Sequence, residues 1–158
     1  HVKDEERAVA VHLPEAMALG EVARFAAAAM ASRTGTDLGF IGHTSFGTGL
    51  PSGDVSRFDY NAGLRFDGKL MVAEVDAATL AAIIERCNQD RDMPLAARTG
   101  DFLYAAPALA EGRQTYRIVC NDWSAINKKS YFGREDLIFS EVPDLKLKQI
   151  VLEALAKA

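Results

Sequence analysis

Thr115-Tyr116-Arg117-Ile118-Val119-Cys120, running directly into Asn121-Asp122-Trp123-Ser124-Ala125, decides how this chain is read. The first six residues are a strand-like run, rich in β-branched and aromatic types. The next five are polar around the only tryptophan of the chain. The expectation is a strand that gives way to a polar loop carrying an aromatic ring. A similar turn approaching a strand occurs earlier, at Leu64-Arg65-Phe66-Asp67-Gly68.

Outward from these segments, helical and extended stretches alternate. Residues 15–32 place Leu19, Val22, Phe25, Ala26 and Ala29 at helical spacing, with a stop at Thr34-Gly35-Thr36. Leu38-Gly39-Phe40-Ile41 reads as a short buried strand, followed by a Gly-rich loop over residues 42–53. Residues 54–61 are expected to form a short helix capped by Asp54 or Ser52. Residues 70–75 read as a strand, after which Asp76 caps an amphipathic helix through Leu80, Ile83, Ile84 and Cys87. Residues 88–99 are polar, include Pro94 and read as a loop. Residues 101–105 are a weaker strand candidate than 115–120. Residues 128–135 read as a charged turn with Gly133, residues 136–141 as a final strand, and Pro143-Asp144 as the start of a last helix. The pattern predicts a single α+β domain, with a mixed β-sheet flanked by helices.

Composition sets the outer limits. A chain of 158 residues that is 49% hydrophobic suits one domain with a sizeable core. A net charge of -4 implies no basic face, which argues against nucleic acid or an anionic membrane as partner. The longest apolar run, residues 25–31, is far too short to span a bilayer. His1 is not an initiator methionine, so the chain is expected to be processed, cut from a longer protein, or what remains of a tagged one. Cys87 and Cys120 lack metal-ligand spacing and lie in apolar segments, which predicts buried free thiols.

The residues for chemistry are sparse. The three histidines are His1, His12 and His43, and the first two fall near an N-terminus expected to be mobile. No His-x-x-x-His, Cys-x-x-Cys, Gly-x-Ser-x-Gly or Walker spacing is present. The residues by themselves describe a poor candidate for a self-sufficient hydrolase. The loop over residues 42–53 holds four glycines and four hydroxyl residues, with His43 at its start. Such a loop can bring backbone N–H groups close to an anion or a sugar, or can simply be a tight structural turn. Phe66 and Trp123 are either core and rim residues or a pair of rings that sandwich a planar base.

From about Ala18 to Tyr131 the chain resembles the C-terminal, substrate-recognition domain of the 5′-nucleotidase family of metallophosphoesterases. Leu19-Gly20-Glu21-Val22 resembles the start of that domain's first helix, and Asp37-Leu38-Gly39-Phe40-Ile41 its following strand. Gly53-Asp54-Val55-Ser56 and Arg65-Phe66-Asp67-Gly68 resemble the Gly-x-Ile-Thr and Pro-Phe-Gly/Asp-Asn segments. The stretch from Tyr116 to Trp123 resembles Tyr-x-Val-x-Thr-Asn-Asp-Phe, which includes Asn121. The resemblance implies that Phe66 and Trp123 stand where the family stacks a base and that His43 stands for its loop asparagine. The loop arginine falls near Thr48 and a second arginine near Glu15. The ribose-binding aspartate falls near Lys129, and Tyr131 takes the last aromatic place.

These departures remove most of the polar recognition of a nucleotide, leaving Arg65 and Lys129 as candidates for a relocated positive charge. Two readings stay open at this point. One is the substrate-recognition half of a divergent phosphoester hydrolase. The resemblance then implies a divalent metal pair in an N-terminal metallophosphoesterase domain of the same parent chain, a nucleotide-like substrate, and export to the periplasm or beyond. The other is a stand-alone, non-catalytic module that kept the fold and binds a small ligand.

Overall fold

A computed structural model describes residues 3–85, 87 and 101–158. Along the chain it contains α1 (Asp4–Arg7), β1 (Val9–Leu13), α2 (Leu19–Thr34), β2 (Leu38–Gly42), β3 (Gly53–Ser56) and α3 (Arg57–Gly63). These are followed by β4 (Leu70–Asp76), α4 (Ala77–Ile84), β5 (Leu103–Ala106), β6 (Thr115–Asn121), α5 (Asp122–Ile126), α6 (Lys128–Phe132), β7 (Ser140–Val142) and α7 (Leu147–Lys157).

Five strands form a mixed sheet in the order β5-β2-β6-β4-β7. β2 and β6 run parallel, with Leu38 opposite Ile118 and Phe40 opposite Cys120. The other neighbours are antiparallel. Side chains alternate across a strand, so each strand feeds both faces. On β6, Tyr116, Ile118 and Cys120 join Leu80 and Ile83 of α4 and Phe132 of α6. Val119, facing the other way, joins Val22, Ala26 and Met30 of α2 and Val151 of α7. The strands at the centre are therefore buried on both faces, which is why they read as continuous apolar runs.

The α2 contact is set by size. Its buried face is mostly alanine, and it lies so close to β2 that a Cβ at Gly39 would stand 1.9 Å from the Ala27 carbonyl oxygen. A second, two-stranded ribbon pairs β1 antiparallel to β3, with Val11, Leu13 and Val55 sealing the same side of the core.

The structure bears out the α+β class and corrects several details. α2 starts at Leu19 rather than Glu15; the Ala18 N–H is accepted by Glu21 at 3.2 Å, and Gly35 in the left-handed region stops it. Residues 53–56 are a strand, so Asp54 caps nothing. α3 begins later, at Arg57, capped by Ser56, whose Oγ accepts the Asp59 N–H. His12 is held in β1 with Nδ1 3.0 Å from Asp54 Oδ1, not in a mobile tail.

Asp76 caps α4 as expected, accepting the Thr79 N–H at 2.7 Å, but the helix ends at Ile84. Cys87 beyond it is half-buried, while Cys120 is fully buried. The expected polar loop after β6 is the helix α5, and the charged turn is the helix α6 ending at left-handed Gly133. β7 is confined to Ser140–Val142. α7 starts at Leu147, not at Pro143-Asp144. Its first N–H groups go to the Gly68 carbonyl (2.9 Å) and Asp67 Oδ1 (3.1 Å), a cap supplied from across the fold. The polar-loop reading of 88–99 and His1 lie outside the described residues.

Candidate functional site

The C-terminal ends of the parallel strands β2 and β6 are tied together by a buried polar chain. The Gly42 N–H donates to Ser124 Oγ at 3.1 Å, and that hydroxyl donates to Asn121 Oδ1 at 2.6 Å. The Asn121 amide in turn donates to Ser45 Oγ at 3.4 Å. Ser124 is wholly buried and Asn121 is 4% exposed. Buried polar groups of this kind hold only while each has a partner. The chain thus fixes the start of α5 against the turn after β2.

α5 carries Trp123 outward. Its ring is 56% exposed, and the indole N–H donates to Tyr131 Oη at 3.3 Å. Tyr131, on α6, is 2% exposed and its hydroxyl also bonds Thr44 Oγ1. The tryptophan is thereby held by its polar edge, leaving its faces to solvent. Phe66 stands on the loop between α3 and β4 and is 57% exposed. That loop is anchored by the Arg65 N–H to the Ser45 carbonyl (2.8 Å), and the Arg65 guanidinium carbon lies 5.2 Å from the Phe66 ring centroid.

Phe66 and Trp123 line one cleft of about 540 Å3, with Asn121, Thr44, Ser45 and Tyr131. The remaining lining residues are all acidic: Asp67, Asp101 and Asp122. Asp122 accepts the Lys69 N–H (3.1 Å) and the Trp123 N–H (2.8 Å). Asp67 accepts the Gly68 and Lys148 N–H groups.

The other residues singled out in the sequence sit around the cleft rather than along it. His43 is stacked on Phe102 with centroids 4.4 Å apart, and its Nε2 is 3.0 Å from Asp101 Oδ1. Asp101 is also bonded by Ser130, and the His43 ring lies 6.2 Å from that of Tyr131, so the histidine borders the cleft through these two residues rather than lining it. Thr48 is exposed and lies outside the cleft lining, as does Lys129, which borders a shallow depression beside Ile126 and Glu135. Glu15 is exposed ahead of α2. Sequence reading missed Thr44, Ser45, Asp67, Asp101 and Asp122. Asp67 and Asp122 were in view, since each directly follows or precedes one of the cleft's aromatic rings in the chain.

A second groove of about 500 Å3 collects the cations, among them Arg33, Arg57, Lys146 and Lys148. It touches the aromatic cleft at Asp67, which lines both. Burial lowers the Lys148 pKa, opposed by the charge of Asp67. Burial likewise pushes the Tyr60 hydroxyl well up, and its Oη donates to the Lys148 carbonyl at 2.6 Å. The Cys120 thiol, just below Asn121 on β6, is held protonated by complete burial, reinforced by Asp122. It is a packing residue rather than a nucleophile.

Among the described residues no group of three or more His, Cys, Asp or Glu is arranged to hold a metal ion. No described helix is long and apolar enough to cross a membrane.

No protein-family model matches the chain, and no curated protein matches it. Solved structures do. A 5′-nucleotidase precursor from Thermus thermophilus superposes with a TM-score of 0.70 at 13% identity, covering 97% of this chain and 37% of its own. The NAD nucleotidase of Haemophilus influenzae superposes with a TM-score of 0.63 at 14% identity, covering 97% of this chain and 36% of its own. The chain has the fold of one part of these enzymes. It spans a little over a third of the length of each, and at such identity the likeness speaks for the fold alone.

Proposed function

We propose that the chain is the substrate-recognition domain of a divergent 5′-nucleotidase-like phosphoester hydrolase, exported to the periplasm or secreted. One observation carries this reading. Phe66 and Trp123, from separate elements, are both more than half exposed over the same cleft, while the polar floor beneath them is tied down by Asn121, Ser124 and Ser45. Large apolar rings are kept in water only at some cost, and a pair of them over a preformed cavity is suited to a planar base. Stacking contributes about 1–3 kcal/mol per ring in proteins that bind bases.

In this reading Phe66 and Trp123 grip the base, and Asn121 and Thr44 orient its edge. Tyr131 and His43 keep Trp123 and Asp101 in place. Thr48 and Lys129 are not among the cleft-lining residues and take no part in holding the base. The reacting phosphoester is presented to an N-terminal metallophosphoesterase domain of the parent chain. There a divalent metal pair would supply the nucleophile and stabilise the developing charge. The contribution of this domain is positioning, which can itself account for several powers of ten in rate.

The test is Trp123 emission during titration with a broad panel of nucleosides and nucleotides. Quenching that weakens at least tenfold in Phe66→Ala supports the pair as a base clamp. Unchanged emission across the whole panel removes it. A second reading, a non-catalytic binding module, is favoured by the lack of Arg, Lys and His among the cleft-lining residues. An antibody raised against this domain separates the two in source cells. A product several times larger than 17.1 kDa, active on phosphoesters with added divalent metal, supports the hydrolase; a product near 17.1 kDa supports the module.

A further inference from the structure

The aromatic cleft has an electrostatic character that the proposed function does not use. Its lining holds Asp67, Asp101 and Asp122 and no cationic side chain. The nearest collection of lysines and arginines faces the neighbouring groove instead. Building on the base-clamp reading above, we infer that the cleft selects planar heteroaromatic ligands by charge, taking cationic rings in preference to neutral ones and neutral ligands in preference to those that carry a phosphate.

Three features act together. First, the faces of Phe66 and Trp123 carry the negative side of their quadrupoles, which attracts a cation placed over them. The protein already exploits this at the rim, where the Arg65 guanidinium sits over Phe66. Second, the carboxylates are fixed by backbone N–H groups. Asp122 is held by Lys69 and Trp123, and Asp67 by Gly68 and Lys148. They are thus preorganised and need not be rearranged to meet a ligand. Asp67 uses only Oδ1 in these bonds, leaving Oδ2 without a hydrogen-bond partner among the described residues.

Third, the buried Asn121 lines the same cavity and donates one amide hydrogen in a long 3.4 Å bond to Ser45. Its second amide hydrogen has no acceptor among the described residues. That leaves a buried amide donor for a ring nitrogen or carbonyl, amid carboxylates that want N–H donors or positive charge. A phosphate in this cavity would face three acidic side chains, with no cation among the lining residues and only the Arg65 guanidinium at the rim to offset them.

Three ligands with one ring system test the inference on the intact 158-residue chain, read by Trp123 quenching in slightly acidic, low-salt buffer. They are 1-methyladenosine, whose ring is cationic there, neutral adenosine, and adenosine 5′-monophosphate. The expected order of affinity is cation, neutral, anion, with steps of about fivefold that shrink as salt is added. In Asp122→Asn, which keeps one of the two oxygens that accept from the backbone, the step between cation and neutral ring falls to about twofold. Quenching by all three with equal affinities, or with the nucleotide tightest, overturns the charge preference and leaves the base clamp standing. Quenching by none of them overturns the inference together with the clamp it rests on.

Discussion

The two faces of the sheet are built on different rules. On the α2 side the contact is a matter of volume: alanines on the helix, Gly39 on the strand, and backbone against backbone. On the α5–α6 side, at the ends of β2 and β6, it is a matter of hydrogen bonds. Gly42, Ser124, Asn121 and Ser45 form a chain there that has few spare partners. The first face makes the domain stable; the second shapes a cavity. A close-packed face penalises added atoms, whereas a polar chain penalises removed ones.

The comparison can be broken at its strongest point first. Gly39→Val forces side-chain atoms into the Ala27 carbonyl, and the expected loss is about 3 kcal/mol or more, read as a shift of the urea midpoint. A midpoint shift under a third of that would mean that α2 can slide, and that the face is not fixed by volume. Ser124→Ala should cost about 2 kcal/mol, because it strands the Gly42 N–H and the Asn121 side-chain oxygen Oδ1 in a buried place. The same variant should also change Trp123 emission, which Gly39→Val need not do until the chain unfolds.

Gly42→Ala is a milder version of the first change on the second face. Its Cβ would meet the Tyr131 ring at 2.6 Å, and a ring can move where a carbonyl cannot. The expected loss is about 1 kcal/mol with a clear shift of Trp123 emission, since Tyr131 holds the indole N–H.

The smallest effect is on the cap of α4. The Asp76 carboxyl is held below the usual carboxylate range by its hydrogen bonds from Thr79. A group whose folded pKa is depressed stabilises above its unfolded pKa, about 3.9, and loses that contribution as pH falls through the folded value. Melting curves of the native chain and Asp76→Ala should therefore differ at neutral pH and converge in strong acid. A constant gap would assign the effect to helix propensity rather than to the cap.

How much of this was legible depended on whether the decisive partner was local. β2 was legible because a strand buried along its whole length is apolar throughout, β4 and β6 because most of their residues are apolar, and Asp76 because its acceptor serves a residue three places on. The start of α3 was misread because Asp54, Ser52 and Ser56 are all residues of capping type. Only the pairing of His12 with Asp54 turns that stretch into a strand. The start of α7 was illegible in principle, since its cap comes from Asp67 and Gly68. In the cleft, the rings Phe66 and Trp123 were legible as aromatics beside strands. The acidic lining was not: Asp67 reads locally as a turn residue, and Asp101 reaches the site only because β5 lies beside β2.

Asp67 gives the cleft a remote reporter. Its carboxylate both lines the cavity and accepts the backbone N–H of Lys148, while the next residue, Gly68, accepts that of Leu147. The amide protons of Leu147 and Lys148 can then exchange with solvent only when this loop lets go of the last helix. Any ligand that steadies the loop must slow that exchange, and by linkage a firmly seated helix must tighten the ligand by the same factor. The chain's C-terminal segment is thus energetically a wall of the cleft, though only backbone atoms of its helix meet the loop through these bonds.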